Sequence, residues 1–136
     1  MTRVLLDTSA YAAFMRDHSA IKAAIQSADD VYMNATVLGE LQAGFLRGSH
    51  RRKNERELDA FLASPRAHVV DVDRETALRY AIILDGLRRA GRPIPTNDIW
   101  IAASAMQHGL RLVTTDSHYR QVGQVVVEYF DPEPIS

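Results

Sequence analysis

The sequence contains no cysteine, which removes disulfides, thiolate metal sites and cysteine nucleophiles together. No stretch approaches the roughly 20 apolar residues of a membrane-spanning helix. The opening Met1-Thr2-Arg3-Val4-Leu5-Leu6-Asp7 meets an acid after three consecutive apolar residues, too short a run for a signal peptide. A cysteine-free chain of this kind suits a reducing compartment, and a cytoplasmic location is expected. Charge of one sign is also lacking: the formal net charge is -1, so the chain is not a polycation coating nucleic acid. Any nucleic-acid role has to come from a local basic patch or from bound metal. Glycine-rich phosphate loops, Gly-x-Ser-x-Gly elbows and His-Glu-x-x-His helices are missing. NTPase, dinucleotide-binding, serine-hydrolase and zinc-protease readings therefore lack their motifs.

What is present is an ordinary globular composition, 46% hydrophobic and 24% charged over 136 residues. One domain spanning residues 1–136 is expected, long enough to bury a core. Residues 3–7 read as a short strand ending at Asp7. Thr8 or Ser9 then caps a helix to about Arg16, with Tyr11, Phe14 and Met15 on its apolar face. A helix from His18 to Ala28 buries Ile21, Ala24, Ile25 and Ala28, and a strand follows at 31–33. Asn34 or Thr36 starts the next helix, with Val37, Leu38, Leu41, Phe45 and Leu46 as its stripe and Gly48 as its stop. A charged helix, 49–63, packs through Leu58, Phe61 and Leu62. Residues 67–72 form a third strand. A helix over 73–89 repeats Ala77, Tyr80, Ala81, Leu84 and Leu87. Pro93 and Pro95 force a loop. Residues 110–116 form a strand that again ends in an acid. A helical turn at 119–122, a last strand at 125–130 and a polar tail at 131–134 complete the chain. This alternation predicts an α/β fold, a three-layer α/β/α sandwich around a mostly parallel sheet.

The segment between the prolines and Gly109 organises the rest. From Ile99 to Met106 it is apolar on nearly every side, interrupted only by Ser104, which predicts a helix buried all round. Asp98 sits in its first turn behind Thr96, a candidate N-cap. A first-turn acid either compensates the helix dipole or serves a site. Asp7 and Asp116, each at the carboxyl end of a strand, lie where parallel sheets gather ligands. Asp7 alone reads equally as a helix cap, Glu40 as a solvent-facing helical acid, and Asp116 as a turn acid. Brought into one crevice, the four would repel by on the order of 4 kcal/mol per close pair unless a cation neutralised them. All-oxygen donors select hard ions, Mg²⁺ or Mn²⁺, and such an ion activates water and shields a phosphodiester under attack. Thr8, Ser9, Thr114 and Thr115 place hydroxyls beside two of the acids, to hold a water or to satisfy local backbone.

The densest basic run is Arg47, His50, Arg51, Arg52, Lys53 and Arg56, with a second at Arg88, Arg89 and Arg92. These are either phosphate contacts or solvated helix faces. The five histidines, at 18, 50, 68, 108 and 118, show no ligand spacing. His108 and His118 read as surface residues, and His118, close to Asp116, as a further phosphate contact.

Four blocks in order resemble the PIN-domain nucleases, specifically the VapC-type toxins of toxin–antitoxin pairs. They are Val4-Leu5-Leu6-Asp7-Thr8-Ser9, then Gly39-Glu40-Leu41 with Gly44, then Asn97-Asp98-Ile99-Trp100-Ile101-Ala102-Ala103, and Leu112-Val113-Thr114-Thr115-Asp116 followed by Tyr119. The resemblance covers nearly the whole chain, and the block around Asp98 is its most specific part. It implies a Mg²⁺- or Mn²⁺-dependent endoribonuclease, with Asp7 and Asp98 as principal metal ligands and Glu40 and Asp116 completing the site directly or through water. It also implies a homodimer held inactive by a small VapB-like antitoxin, whose tail places an arginine among the carboxylates. Many relatives carry another acid shortly after the last block, where this chain has Ser117 and His118, so the number of metals stays open at one or two. Two other readings stay open: a non-catalytic RNA- or partner-binding module on the same scaffold, and an RNA- or DNA-processing nuclease that is not a toxin.

Overall fold

Five short strands run parallel in one sheet: β1 (Arg3–Leu6), β2 (Asp30–Asn34), β3 (Ala67–Val70), β4 (Arg111–Thr114) and β5 (Val127–Tyr129), in the spatial order β3-β2-β1-β4-β5. The structure, a computed structural model, describes residues 1–132. Glu133 and Pro134 of the expected polar tail lie outside them. Helices α1 (Thr8–Met15) and α2 (Ser19–Ser27) link β1 to β2, and α3 (Ala35–Arg47) and α4 (Arg51–Leu62) link β2 to β3. Helices α5 (Arg74–Ala90) and α6 (Thr96–His108) return the chain from β3 to β4, and a 3₁₀ turn, Ser117–Gln121, precedes β5.

Consecutive strand residues point to opposite faces, so a strand buried at every position is covered on both sides. Val4, Leu5 and Leu6 of β1 and Leu112, Val113 and Thr114 of β4 are all buried, which places helices on both faces. Strand order steps outward from β1 through β2 to β3, then returns to set β4 on the other side of β1. That reversal opens a crevice beyond the carboxyl ends of β1 and β4.

Helix α6 packs against α5, α3 and β4. Ile99 and Ile101 to Ala105 are buried, and Trp100 stacks on Tyr80 of α5 with ring centroids 4.1 Å apart. Buried Ser104 is satisfied by Asn34, whose amide nitrogen donates to Ser104 Oγ at 2.9 Å and to the Trp100 carbonyl at 3.3 Å. The same Asn34 caps α3 through the Val37 N–H. Gly109 ends α6 at φ 64°, a left-handed position suited to glycine.

Several expectations shift. Pro95, not Thr96, is the N-cap of α6, and Thr96 becomes its first residue. Asp98 thereby falls at the third helical position, where an acid ordinarily bonds back to the cap N–H; proline has none. Asp7 caps α1 in place of Thr8 or Ser9. Leu46 is exposed, outside the α3 stripe. On α5 the buried residues are Thr76, Ile83 and Leu87, while Ala77 and Ala81 face outward. The last strand is shorter than expected, and the turn near Tyr119 is 3₁₀ and begins at Ser117. His108 is half-buried with its Nε2 out of water, so it is not a free surface residue. Among the described residues no helix is long and apolar enough to cross a membrane.

Candidate active site

Asp7 follows the buried end of β1 and is itself 3% exposed. Its Oδ1 accepts the Ala10 N–H at 2.8 Å, so the residue does cap α1. Capping leaves it in the crevice as well, because the opposite side of the carboxylate faces β4. Thr114 Oγ1 donates to Oδ2 at 2.7 Å, and Ser9 Oγ lies 2.8 and 2.9 Å from the two oxygens. Desolvation nevertheless pushes the Asp7 carboxyl up to about 6; its hydrogen bonds oppose the rise and the nearby Asp116 charge adds to it.

Asp98 projects from the first turn of α6. Tyr119 donates its hydroxyl to Asp98 Oδ1 at 3.2 Å, and His118 Nδ1 lies 3.3 Å from Oδ2. Burial and then the Asp116 charge hold the Asp98 carboxyl above the usual range. Tyr119 is fully buried, and desolvation together with the charges of Asp7 and Asp98 pushes its hydroxyl far up, so it remains a donor. Asp116 caps the 3₁₀ turn, accepting the His118 N–H at 2.9 Å, with His118 Nδ1 3.1 Å from the same oxygen. Its own N–H donates to Thr114 Oγ1 at 2.9 Å. Thr114 therefore ties Asp116 to Asp7, and Ser9 adds a second tie by accepting the Thr115 N–H at 3.1 Å.

Glu40 comes from α3 and is half-buried, not free in solvent. Thr8 donates its hydroxyl to one carboxylate oxygen, and Asn97 Nδ2 to the other at 3.3 Å. These are the chain neighbours of Asp7 and Asp98. Each of the four acids is thus linked to the same edge of the sheet, the tightest group being Asp98, Asp116 and His118. In that group one ligand atom from each residue lies within 4.8 Å of the others. No lysine or arginine pairs with the four acids among the described residues; His118 is the partner of two. An arrangement in which the Asp116 charge raises the proton affinity of Asp7 and Asp98, with no lysine or arginine pairing them among the described residues, fits a divalent cation, and oxygen donors are what a hard ion takes.

The basic run lies apart in its bonding. On α4, Arg51 pairs with Glu55 at 2.6 Å and Lys53 with Glu57 at 3.9 Å, so part of the run is an ordinary helix face. Arg47, Arg52 and Arg56 are exposed with no such pair among the described residues. In the second run, Arg89 pairs with Asp85. Sequence patterns gave no role to Asn97 as a partner of Glu40 or to Tyr119 as a donor to Asp98. The only local signal was their position beside, and three residues after, an acid.

Residues 4–125 match the family described as PIN domain. Ribonuclease VapC4 of Mycobacterium tuberculosis is 32% identical over 95 residues, covering 70% of this chain and 73% of the relative. The structure of VapBC2 from Rickettsia felis, bound to a DNA fragment from its promoter, has a TM-score of 0.84 at 23% identity, a likeness of fold, covering 94% of this chain and 98% of that one. VapBC-5 from Mycobacterium tuberculosis, a member of the VapBC family of toxin–antitoxin systems, has a TM-score of 0.72 at 27% identity, covering 94% and 97%. With a parallel sheet that reverses between β1 and β4 and acids gathered at the reversal, the chain belongs to the PIN-domain family as a VapC-type member.

Proposed function

We propose that this protein is an endoribonuclease that hydrolyses RNA phosphodiester bonds at its acidic edge with Mg²⁺ or Mn²⁺, and that it serves as the toxin of a toxin–antitoxin pair. The carrying observation is the convergence of Asp98 and Asp116 on one point, with Asp7 close enough for Asp116 to raise its carboxyl and no lysine or arginine among the described residues pairing the three. Asp7, Asp98 and Asp116 are the residues that would hold the cation, with Glu40 at the flank. When bound, such an ion lowers the pKa of an attacking water and offsets charge building on the phosphate.

The chain's own residues supply positioning. Ser9 and Thr114 orient Asp7, Thr8 and Asn97 orient Glu40, and Tyr119 fixes one oxygen of Asp98 so that the other faces the crevice. An ionised carboxylate at this edge accepts the proton of the attacking water. Arg47, Arg52 and Arg56, exposed and without an ion pair among the described residues, are the basic chains best suited to RNA phosphates, ahead of Arg51 and Lys53.

Partnership follows from the same family membership. A VapB-like antitoxin would cover the acidic edge with a basic side chain, and a homodimer is the expected form of the nuclease, all within the cytoplasm. Support comes from the naming of VapC4 as a ribonuclease and of VapBC-5 as a toxin–antitoxin system. The test uses protein freed of any partner. RNA cleavage should require Mg²⁺ or Mn²⁺, stop with EDTA, and fall at least roughly 100-fold in Asp98→Asn. Cleavage by that variant at the parent rate removes Asp98 from the site.

A further inference from the structure

The three atoms that approach one another at the acidic edge are not all oxygens. His118 Nδ1 stands 3.3 Å from Asp98 Oδ2 and 3.1 Å from Asp116 Oδ1. The geometry points to His118 as a nitrogen ligand of the cation, making the centre a mixed nitrogen–oxygen site that prefers Mn²⁺ to Mg²⁺. This rests on the metal-dependent reading above and specifies which ion that site is built for.

Three features carry it. Asp98 Oδ1 is occupied by the Tyr119 hydroxyl, so Oδ2 is the oxygen left to face the ring. The ring is anchored from its own backbone, since the His118 N–H donates to Asp116 Oδ1 at 2.9 Å. And one ring nitrogen stands within 3.3 Å of both oxygens, so that the three donor atoms open onto one small space. The rest of the ring is half-exposed to water.

Selectivity follows from donor chemistry. Mg²⁺ holds oxygen ligands and keeps its waters, whereas first-row transition ions accept imidazole, and Mn²⁺ also keeps the carboxylates. Replacing one oxygen by a ring nitrogen therefore raises the affinity for Mn²⁺ relative to Mg²⁺.

The experiment binds Mn²⁺ and Mg²⁺ separately to the full chain, freed of partner, by calorimetry, for the parent, His118→Ala and His118→Asp. Pulsed EPR of bound Mn²⁺ then looks for a directly coordinated ¹⁴N. Expected results are a nitrogen coupling in the parent that is absent from both variants, and a loss of Mn²⁺ affinity of at least roughly tenfold in His118→Ala, where outer-shell losses alone cost 10- to 100-fold. Mg²⁺ affinity should change by less than about threefold. His118→Asp should bind both ions with the preference for Mn²⁺ reduced. Mn²⁺ bound to the parent without nitrogen coupling overturns the assignment while leaving the acidic site intact. A parent that binds neither ion overturns both readings.

Discussion

Asp7 holds a carboxyl almost wholly out of water, and its ionisation is tied to the stability of the fold. The group titrates near 3.8 in the open chain and is pushed up to about 6 when folded, chiefly by desolvation. Below about pH 4 both states keep the proton and stability does not depend on this group. Between about pH 4 and 6 the unfolded chain releases it while the folded one holds it, so stability falls as pH rises. Above about pH 6 the loss is complete, at roughly 3 kcal/mol. Asp98, also raised, acts in the same direction. In EDTA, the melting temperature of the parent should therefore drop across this window more steeply than that of Asp7→Asn, which keeps an oxygen for the Ala10 N–H. Parallel profiles would show that Asp7 is not desolvated as described. A bound divalent cation reverses the effect, because it favours the ionised carboxylates.

At the scale of elements, Asn34 joins three of them. It ends β2, caps α3 and reaches into α6 at Trp100 and Ser104. Asn34→Ala removes a cap worth about 1 kcal/mol and leaves buried partners unpaired at about 1–3 kcal/mol, so denaturant unfolding should show a loss of roughly 2–4 kcal/mol. Ser104→Ala should cost less, since the Asn34 amide still reaches the Trp100 carbonyl. A loss below about 0.5 kcal/mol for Asn34→Ala contradicts this account. Helix α5 shows why periodicity misplaced part of its face. Alanines at 77 and 81 satisfy an apolar repeat while costing little in water, whereas Thr76, polar by type, is buried because its hydroxyl reaches Asp73 and Gln107. Such a partner, 31 positions away in the chain, leaves no trace in local spacing.

For the molecule as a whole, a net charge of -1 and an acidic edge would repel RNA unless cations lie elsewhere on the surface. Arg52 and Arg56 on α4 are exposed and, among the described residues, have no ion pair like those that engage Arg51 and Lys53. Charge reversal at both, Arg52→Glu with Arg56→Glu, should raise KM for RNA roughly tenfold, leave kcat within about twofold, and flatten the salt dependence of binding. Arg51→Glu alone should have a smaller effect. An unchanged KM in the double variant assigns this run to solubility.

Much of the molecule was already legible along the chain. Strand and helix alternation, the all-round apolar helix α6 and the acids closing two strands are local patterns, set by side-chain polarity at periods of about two and 3.6 residues. Helix ends were less legible, as at Pro95, because neighbouring residues compete for the same cap. Which acids meet was not local at all. Asp7 and Thr114 are 107 positions apart and touch only because the strand order sets β4 beside β1. The same placement set the exposed His118 beside Asp98 as well as beside the expected Asp116, and drove the Asp7 carboxyl upward. Polarity patterns choose elements one at a time, but burial and charge–charge distance depend on which elements lie side by side. Those two quantities govern the chemistry of this edge, and they exist only once the sheet has formed.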